Sequence, residues 1–186
     1  MLGEVAQILP ARRYEMPESD EQVSLGSVFE DTVARYPDNV MLIFEGRQWT
    51  YSEFNSEVNR FAHVLASKGV SRGDTIAIFM ENRAEYVLAM LALVKLGASA
   101  SLVNNSLTGA ALVHCLRATN ACGCILGEER SDAFDAIRSE LNWAAAEPVL
   151  WFPDGGRCQP PQWAVDARAE MAEQSVENLE VTRSVT

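Results

Sequence analysis

The sequence is short of the residues that do chemistry. It has two histidines in 186 residues, His63 and His114, so general-base catalysis by imidazole has few candidates. Its four cysteines make no disulfide framework, and reduced thiols in a cytosolic protein are the expectation. Neither phosphate-cradling pattern, G-x-x-x-x-G-K-S/T or G-x-G-x-x-G, is present. Basic residues are scarce: 15 Lys and Arg stand against 26 Asp and Glu, a net charge of -11. That balance argues against nucleic acid and anionic membrane as main partners, because both reward a basic surface. No basic segment leads into a long apolar run near Met1, so no secretory signal is expected. The most apolar stretch, 86–103, is broken by Lys95 and Gly97 and is too short to span a bilayer.

What is present is architecture. With 48% hydrophobic residues the chain can bury a core of ordinary size. Residues 1–23, with Pro10 and Pro17, read as a polar N-terminal arm. The run from Ser24 predicts a helix with Leu25, Val28, Phe29, Thr32, Val33 and Tyr36 on one face, capped by Ser24 or Ser27 and ended by Pro37. "VMLIF" and "RQWTY" flank Glu45-Gly46 at hairpin spacing. Thr50 and Glu53 form a capping box, and Phe54, Val58, Phe61 and Leu65 make the stripe of the helix that follows. Gly69 ends it.

Strands are then expected near 75–80, 98–103, 121–126 and 148–152, with helices between them. Asn82 with Glu85, Thr108, and Ser131 or Asp132 are the candidate caps of those helices. Such alternation implies right-handed crossovers and a parallel sheet. The fold class is α/β, a partial doubly wound parallel sheet preceded by a helix and a β-hairpin. The domain reading is an arm over 1–23, an α/β subdomain over 24–152, and a loop with an acidic tail over 153–186. Glu170, Glu173 and Glu177 repel along one helical face, so the tail is expected to be solvated.

Candidate chemistry is thin. "KGVSRGD" leads from a helix into a strand, the reverse of what a phosphate site needs. His114 and Cys115 point about 100° apart on a helix. Cys122 and Cys124 are expected on one face of a strand, with no second pair to complete a zinc set, so no metal site is expected. Trp49, Trp143, Trp151 and Trp163 do not interleave with basic residues, so they form no stacking platform for nucleic acid. In open parallel sheets, ligands bind beyond the carboxyl ends of the strands. Two such ends are polar, residues 80–83 and 103–106. At the second, Asn104 and Asn105 serve either a structural turn or a ligand contact.

Several motifs resemble one family. "WTYSEF" at 49–54 resembles the first core motif of the adenylate-forming superfamily, and "LVKLGASASLVNNSL" at 93–107 the second. "MENRAEY", "KLGA", "LVNNSL" and "HCL" look most like its long-chain and very-long-chain acyl-CoA synthetases, the fatty-acid-transport-protein type. The resemblance runs from about Ser24 to Trp151. It implies formation of an acyl-adenylate from a fatty acid and ATP with Mg²⁺, then transfer to CoA, in a parent enzyme that is cytoplasmic with peripheral contact to membrane. It also implies that Asn104, Asn105 and Ser106 lie near the pantetheine and acyl tunnel. The family's Ser/Thr/Gly-rich phosphate loop, adenine motif, hinge aspartate and catalytic lysine are absent, and "NLEVTRSVT" looks like the segment just before that loop. No catalytic residue and no cofactor is therefore expected in this chain itself. Two functions compete: the N-terminal part of a fatty-acid–CoA ligase, and a stand-alone non-catalytic module that binds acyl groups, CoA or a protein partner. A half-sheet also predicts self-association through an exposed strand edge.

Overall fold

A computed structural model describes residues 24–141, 143, 148–156 and 159–179. The arm over 1–23 lies outside the described residues. Helix α1 (Leu25–Arg35) opens with a reciprocal cap, Ser27 N donating to Ser24 Oγ at 3.0 Å and Ser24 N to Ser27 Oγ at 3.1 Å. Its buried face differs from the expected stripe. Gly26 and Phe29 are buried, while Leu25, Val28 and Tyr36 are exposed. Phe29 and Val33 of that stripe do pack on the core, and Glu30 beside them pairs with the buried Lys95 at 3.1 Å.

Strands β1 (Val40–Phe44) and β2 (Arg47–Thr50) form the expected antiparallel hairpin. Glu45 and Gly46 have φ of 48° and 78°, the paired positive values of a type I′ turn. Helix α2 (Tyr51–Ser67) starts at the Thr50–Glu53 box: Glu53 N donates to Thr50 Oγ1 at 3.2 Å, and Thr50 N to Glu53 Oε2 at 2.9 Å. Those hydrogen bonds hold the Glu53 carboxyl below its usual pKa. Phe54, Val58, Phe61 and Leu65 are all buried, a stripe worth about 1.5–3 kcal/mol per side chain. Gly69, at φ 86°, turns the chain into the sheet.

The sheet holds five parallel strands in the order β4-β3-β5-β6-β7. They are β3 (Thr75–Phe79), β4 (Ser99–Leu102), β5 (Cys124–Gly127), β6 (Val149–Phe152) and β7 (Val165–Asp166). Four correspond to expected strands. The third starts at Cys124 rather than near 121, and β7 was not anticipated. Helices α1, α2, α3 (Ala84–Lys95) and α6 (Ala167–Ala172) cover the face carrying Ile76, Ile78, Ile125 and Leu150. Helices α4 (Gly109–Ala118) and α5 (Ser131–Asp135) cover the face carrying Ala77, Phe79, Leu126 and Trp151. The period-two alternation of β3 thus feeds two cores, as a strand covered on both sides must.

Three caps differ from expectation. Arg83, not Asn82, is the N-cap of α3, and it makes no side-chain cap bond. Thr108 occupies the N-cap of α4 without a side-chain bond. A 3₁₀ turn, Glu128–Arg130, precedes α5, and Ser131 Oγ instead accepts the Trp151 indole N–H at 3.0 Å.

The expected solvated tail stands in part: residues 172, 173 and 175–178 are exposed, while the short helix α6 is docked. Glu170 escapes its acidic neighbours by pairing with Lys68 at 2.8 Å. Arg168 pairs with Glu57 at 2.7 Å and Glu85 at 2.6 Å, and Met171 is buried. The helix ends at Ala172, so Glu173 and Glu177 fall beyond it and the expected row of carboxylates does not form.

Candidate functional site

The strand order sets where a ligand could approach. From β3 the chain crosses to β4 on one side, then passes back over β3 to β5 on the other. The switch point is therefore the crevice beyond the carboxyl ends of β3 and β5, where open α/β sheets bind ligands. Its walls are the loop 80–83, the turn Glu128–Arg130 and, beyond β6, residues 153–156.

Arg83 is the centre of this region, with its side chain 7% exposed. Its Nη1 lies 2.9 Å from Asp154 Oδ1 and 3.8 Å from Glu129 Oε2, and its Nε 3.4 Å from Glu85 Oε2. Its Nη2 donates to the carbonyls of Phe152 and Pro153, each at 3.2 Å. One guanidinium therefore ties the loop after β6 to the start of α3. Glu85 in turn joins Arg83 to Arg168. Burial alone would raise the Glu85 pKa, but the hydrogen bond from Arg168 and the two guanidinium charges pull it below the usual carboxylate value.

Carboxylates seal the rest. Glu129 Oε1 accepts from Glu81 N at 2.6 Å, and Arg130 pairs with Glu81. Glu128, itself buried, accepts from the amides of Asp154 at 2.5 Å and Gly156 at 3.3 Å. A Cβ on Gly127 would collide with the Glu129 carboxylate, so glycine makes that fold-back possible. A cavity of about 350 Å³ remains, lined by Glu128, Glu129, Asp132, Asp154 and Gly156. Four carboxylates repel a triphosphate, so this lining does not suit ATP. Among the described residues no group of three or more His, Cys, Asp or Glu is placed to hold a metal.

Asn104, Asn105 and Ser106 lie one strand away, beyond the edge strand β4. Asn104 Oδ1 accepts from Ser106 N at 2.9 Å, and Leu107 N donates to Asn104 O at 3.1 Å. Ser106 Oγ donates to Asn105 Oδ1 at 3.4 Å. The three build an Asx turn, with Asn104 and Ser106 exposed and Asn105 half-buried. The other residues weighed from sequence are dispersed. His114 is exposed, and His63 Nε2 lies 3.1 Å from Glu177 O. Cys122 and Cys124 do not share a face: Cys122 packs with the α2–α3 core and Cys124 with the α4–α5 core, because strand geometry begins only at Cys124. Burial pushes the Cys124 thiol far above its usual pKa, leaving it inert.

Of the switch-point residues, sequence reasoning pointed only to 80–83. Glu128, Glu129, Arg130 and Asp154 escaped it. The signal was available, since "GEER" at 127–130 follows an apolar run directly, as the charged end of a strand does.

A half doubly wound sheet with a leading hairpin and a two-sided core defines the class. The chain belongs to the AMP-binding enzyme family, the adenylate-forming enzymes, which matches residues 29–176. Its fold is that of their N-terminal subdomain. Among curated proteins it is 45% identical over 97 residues to the Medium/long-chain-fatty-acid--CoA ligase FadD6 of Mycobacterium tuberculosis, a match covering 52% of this chain and 16% of that protein. It is 32% identical over 120 residues to Long-chain fatty acid transport protein 1 of Bos taurus, covering 63% and 19%. The matched stretches therefore span under a fifth of the length of these relatives. Among solved structures, the anthranilate CoA ligase AuaEII in complex with anthranoyl-AMP superposes with a TM-score of 0.80 at 23% identity, over 91% of this chain and 32% of that one. The N-terminal domain of FACL13 from Mycobacterium tuberculosis gives 0.71 at 21% identity, over 85% and 37%. At such identities the two structures speak to the fold alone.

Proposed function

We propose that these residues build the N-terminal subdomain of an ATP-dependent fatty-acid–CoA ligase and do not activate a carboxylate by themselves. The 45% identity to a medium/long-chain-fatty-acid–CoA ligase carries the reading. In such a reaction a fatty-acid carboxylate attacks the α-phosphorus of ATP and pyrophosphate leaves. The thiol of CoA then attacks the acyl-adenylate carbonyl and AMP departs. Charge on the transferring group must be met by preorganised donors or a metal ion. The guanidinium groups of Arg83, Arg130 and Arg168 are already matched to Asp154, Glu81, Glu57 and Glu85. They hold loops in place, each already occupied by a carboxylate.

On this reading Asn104, Asn105 and Ser106 contact the pantetheine or acyl group. Their place beyond the end of a parallel strand supports it. Among the described residues no helix is long and apolar enough to cross a membrane. The test is ATP–pyrophosphate exchange and acyl-CoA synthesis by the 186-residue chain with Mg²⁺, CoA and a panel of fatty acids. Neither activity should exceed the blank, and either one would overturn the proposal. Tight acyl or CoA binding by a stable monomer would move the assignment to a stand-alone binding module.

A further inference from the structure

Helix α2 turns a row of polar side chains toward residues 171–178. Asn55, Asn59 and His63 fall at i, i+4 and i+8, with Arg60 beside them. Arg60 Nη1 donates to the carbonyls of Gln174 at 2.6 Å, Ala172 at 3.3 Å and Met171 at 3.4 Å. Asn59 Nδ2 donates to Val176 O at 2.7 Å and to Asn178 Oδ1 at 2.8 Å. His63 Nε2 meets Glu177 O at 3.1 Å, and Asn55 Nδ2 donates to Asn178 Oδ1 at 3.3 Å. Residues 175–178 are exposed, so side-chain donors hold this stretch down, ahead of Leu179, which is half-buried against the core.

Lys95 lies behind the row, fully buried at the end of α3. Its Nζ donates to Asn59 Oδ1 at 2.7 Å, Asn55 Oδ1 at 2.8 Å and Asn178 Oδ1 at 3.0 Å, and pairs with Glu30 at 3.1 Å. An ammonium has donors only. It therefore compels both α2 asparagines to face it with their oxygens and to turn their NH₂ groups outward. Those outward donors are the ones that read Val176 and Asn178.

We propose that residues 173–179 are a strap whose register is set by Lys95 through these two amides, and that Asn178 is the positioning residue that fixes the strap on helices α2 and α3. One amide oxygen takes three donors from two helices. Arg60 governs only the approach, at 171–174.

The test is backbone ¹⁵N relaxation on the 186-residue chain. Order parameters over 176–179 should be near those of rigid backbone, about 0.85, and fall below about 0.6 in N178A with α2 and α3 unchanged. N178D should restore them, because a carboxylate accepts the same three donors. R60M should loosen 171–174 and leave 176–179 ordered. Because a lysine variant alone can unfold, K95M/E30L is the companion: it should stay folded, by amide dispersion, and lose strap order. A strap that stays ordered in both N178A and K95M/E30L overturns the proposal. So does one released by R60M and not by N178A.

Discussion

Replacing Lys95 by methionine isolates the ammonium, because methionine keeps an unbranched apolar stem. The lysine has no exposed surface, and its partner Glu30 has a side chain only 9% exposed. K95M strands that carboxylate with its cation gone and leaves the Asn55 and Asn59 oxygens facing a thioether. Breaking one side of a buried ion pair costs about 3–5 kcal/mol. With a urea m-value of ~2 kcal/mol/M for a chain of this size, the midpoint should fall by roughly 1.5–2.5 M. The loss is a large share of an ordinary stability of about 5–15 kcal/mol. Removing both charges should behave differently. Burial holds the Lys95 pKa below the ordinary lysine value, and the hydrogen bond and charge of Glu30 restore it only in part. Desolvation therefore outweighs the pairing, and K95M/E30L should recover most of the midpoint. A K95M loss under about 1 kcal/mol, or a double variant no better than the single one, would refute this account.

The same shift fixes a pH dependence. Between the depressed Lys95 pKa and about 10.4 the unfolded chain binds more protons, so stability should rise with pH in that window relative to K95M/E30L. Glu85 acts at the other end: its folded pKa is depressed, so its contribution is full above the ordinary glutamate value near 4.3 and should vanish as pH falls through the folded one. An E85Q variant should show a flatter acid-unfolding profile, and an unchanged profile would contradict the assignment. Glu45 sits at φ 48°, where asparagine is easier, so E45N should raise the urea midpoint by a stabilisation of ~0.5–1 kcal/mol. Among the described strands β4 is an edge, and Leu102 on it is 53% exposed. The chain should self-associate by light scattering at high concentration, and L102K should suppress this. A clean wild-type monomer would count against the edge as a contact surface.

Local physics was legible wherever the signal is local. The Thr50–Glu53 box, the α2 stripe, the Glu45-Gly46 turn and the Gly69 stop each need only a few adjacent residues, and each stands as read. Expectation failed where a distant partner decided the outcome. Glu30 on α1 found Lys95, and part of the acidic tail docked because Arg60, Lys68 and Arg168 were waiting for it. The short strand β7 carries too few residues for any periodicity to show. The candidate site suffered most. A switch point depends on strand order, and alternation of strands and helices implies a parallel sheet without the order of its strands. Asn104 and Asn105 stood out at one polar strand end, while Arg83 was not singled out within the other, residues 80–83.

Gly127 carries a consequence for this strand end. The atom that a Cβ would strike is the far end of a flexible glutamate, so G127A would leave the sheet intact and swing the Glu129 carboxylate aside. The Glu81 amide would lose its acceptor and Arg83 one of its surrounding anions. Faster hydrogen exchange at the Glu81 amide in G127A would register the change, and an unaltered rate would show the carboxylate still in place. One methyl group at Gly127 thus decides whether the Glu129 carboxylate folds back onto the end of β5 or points away from it.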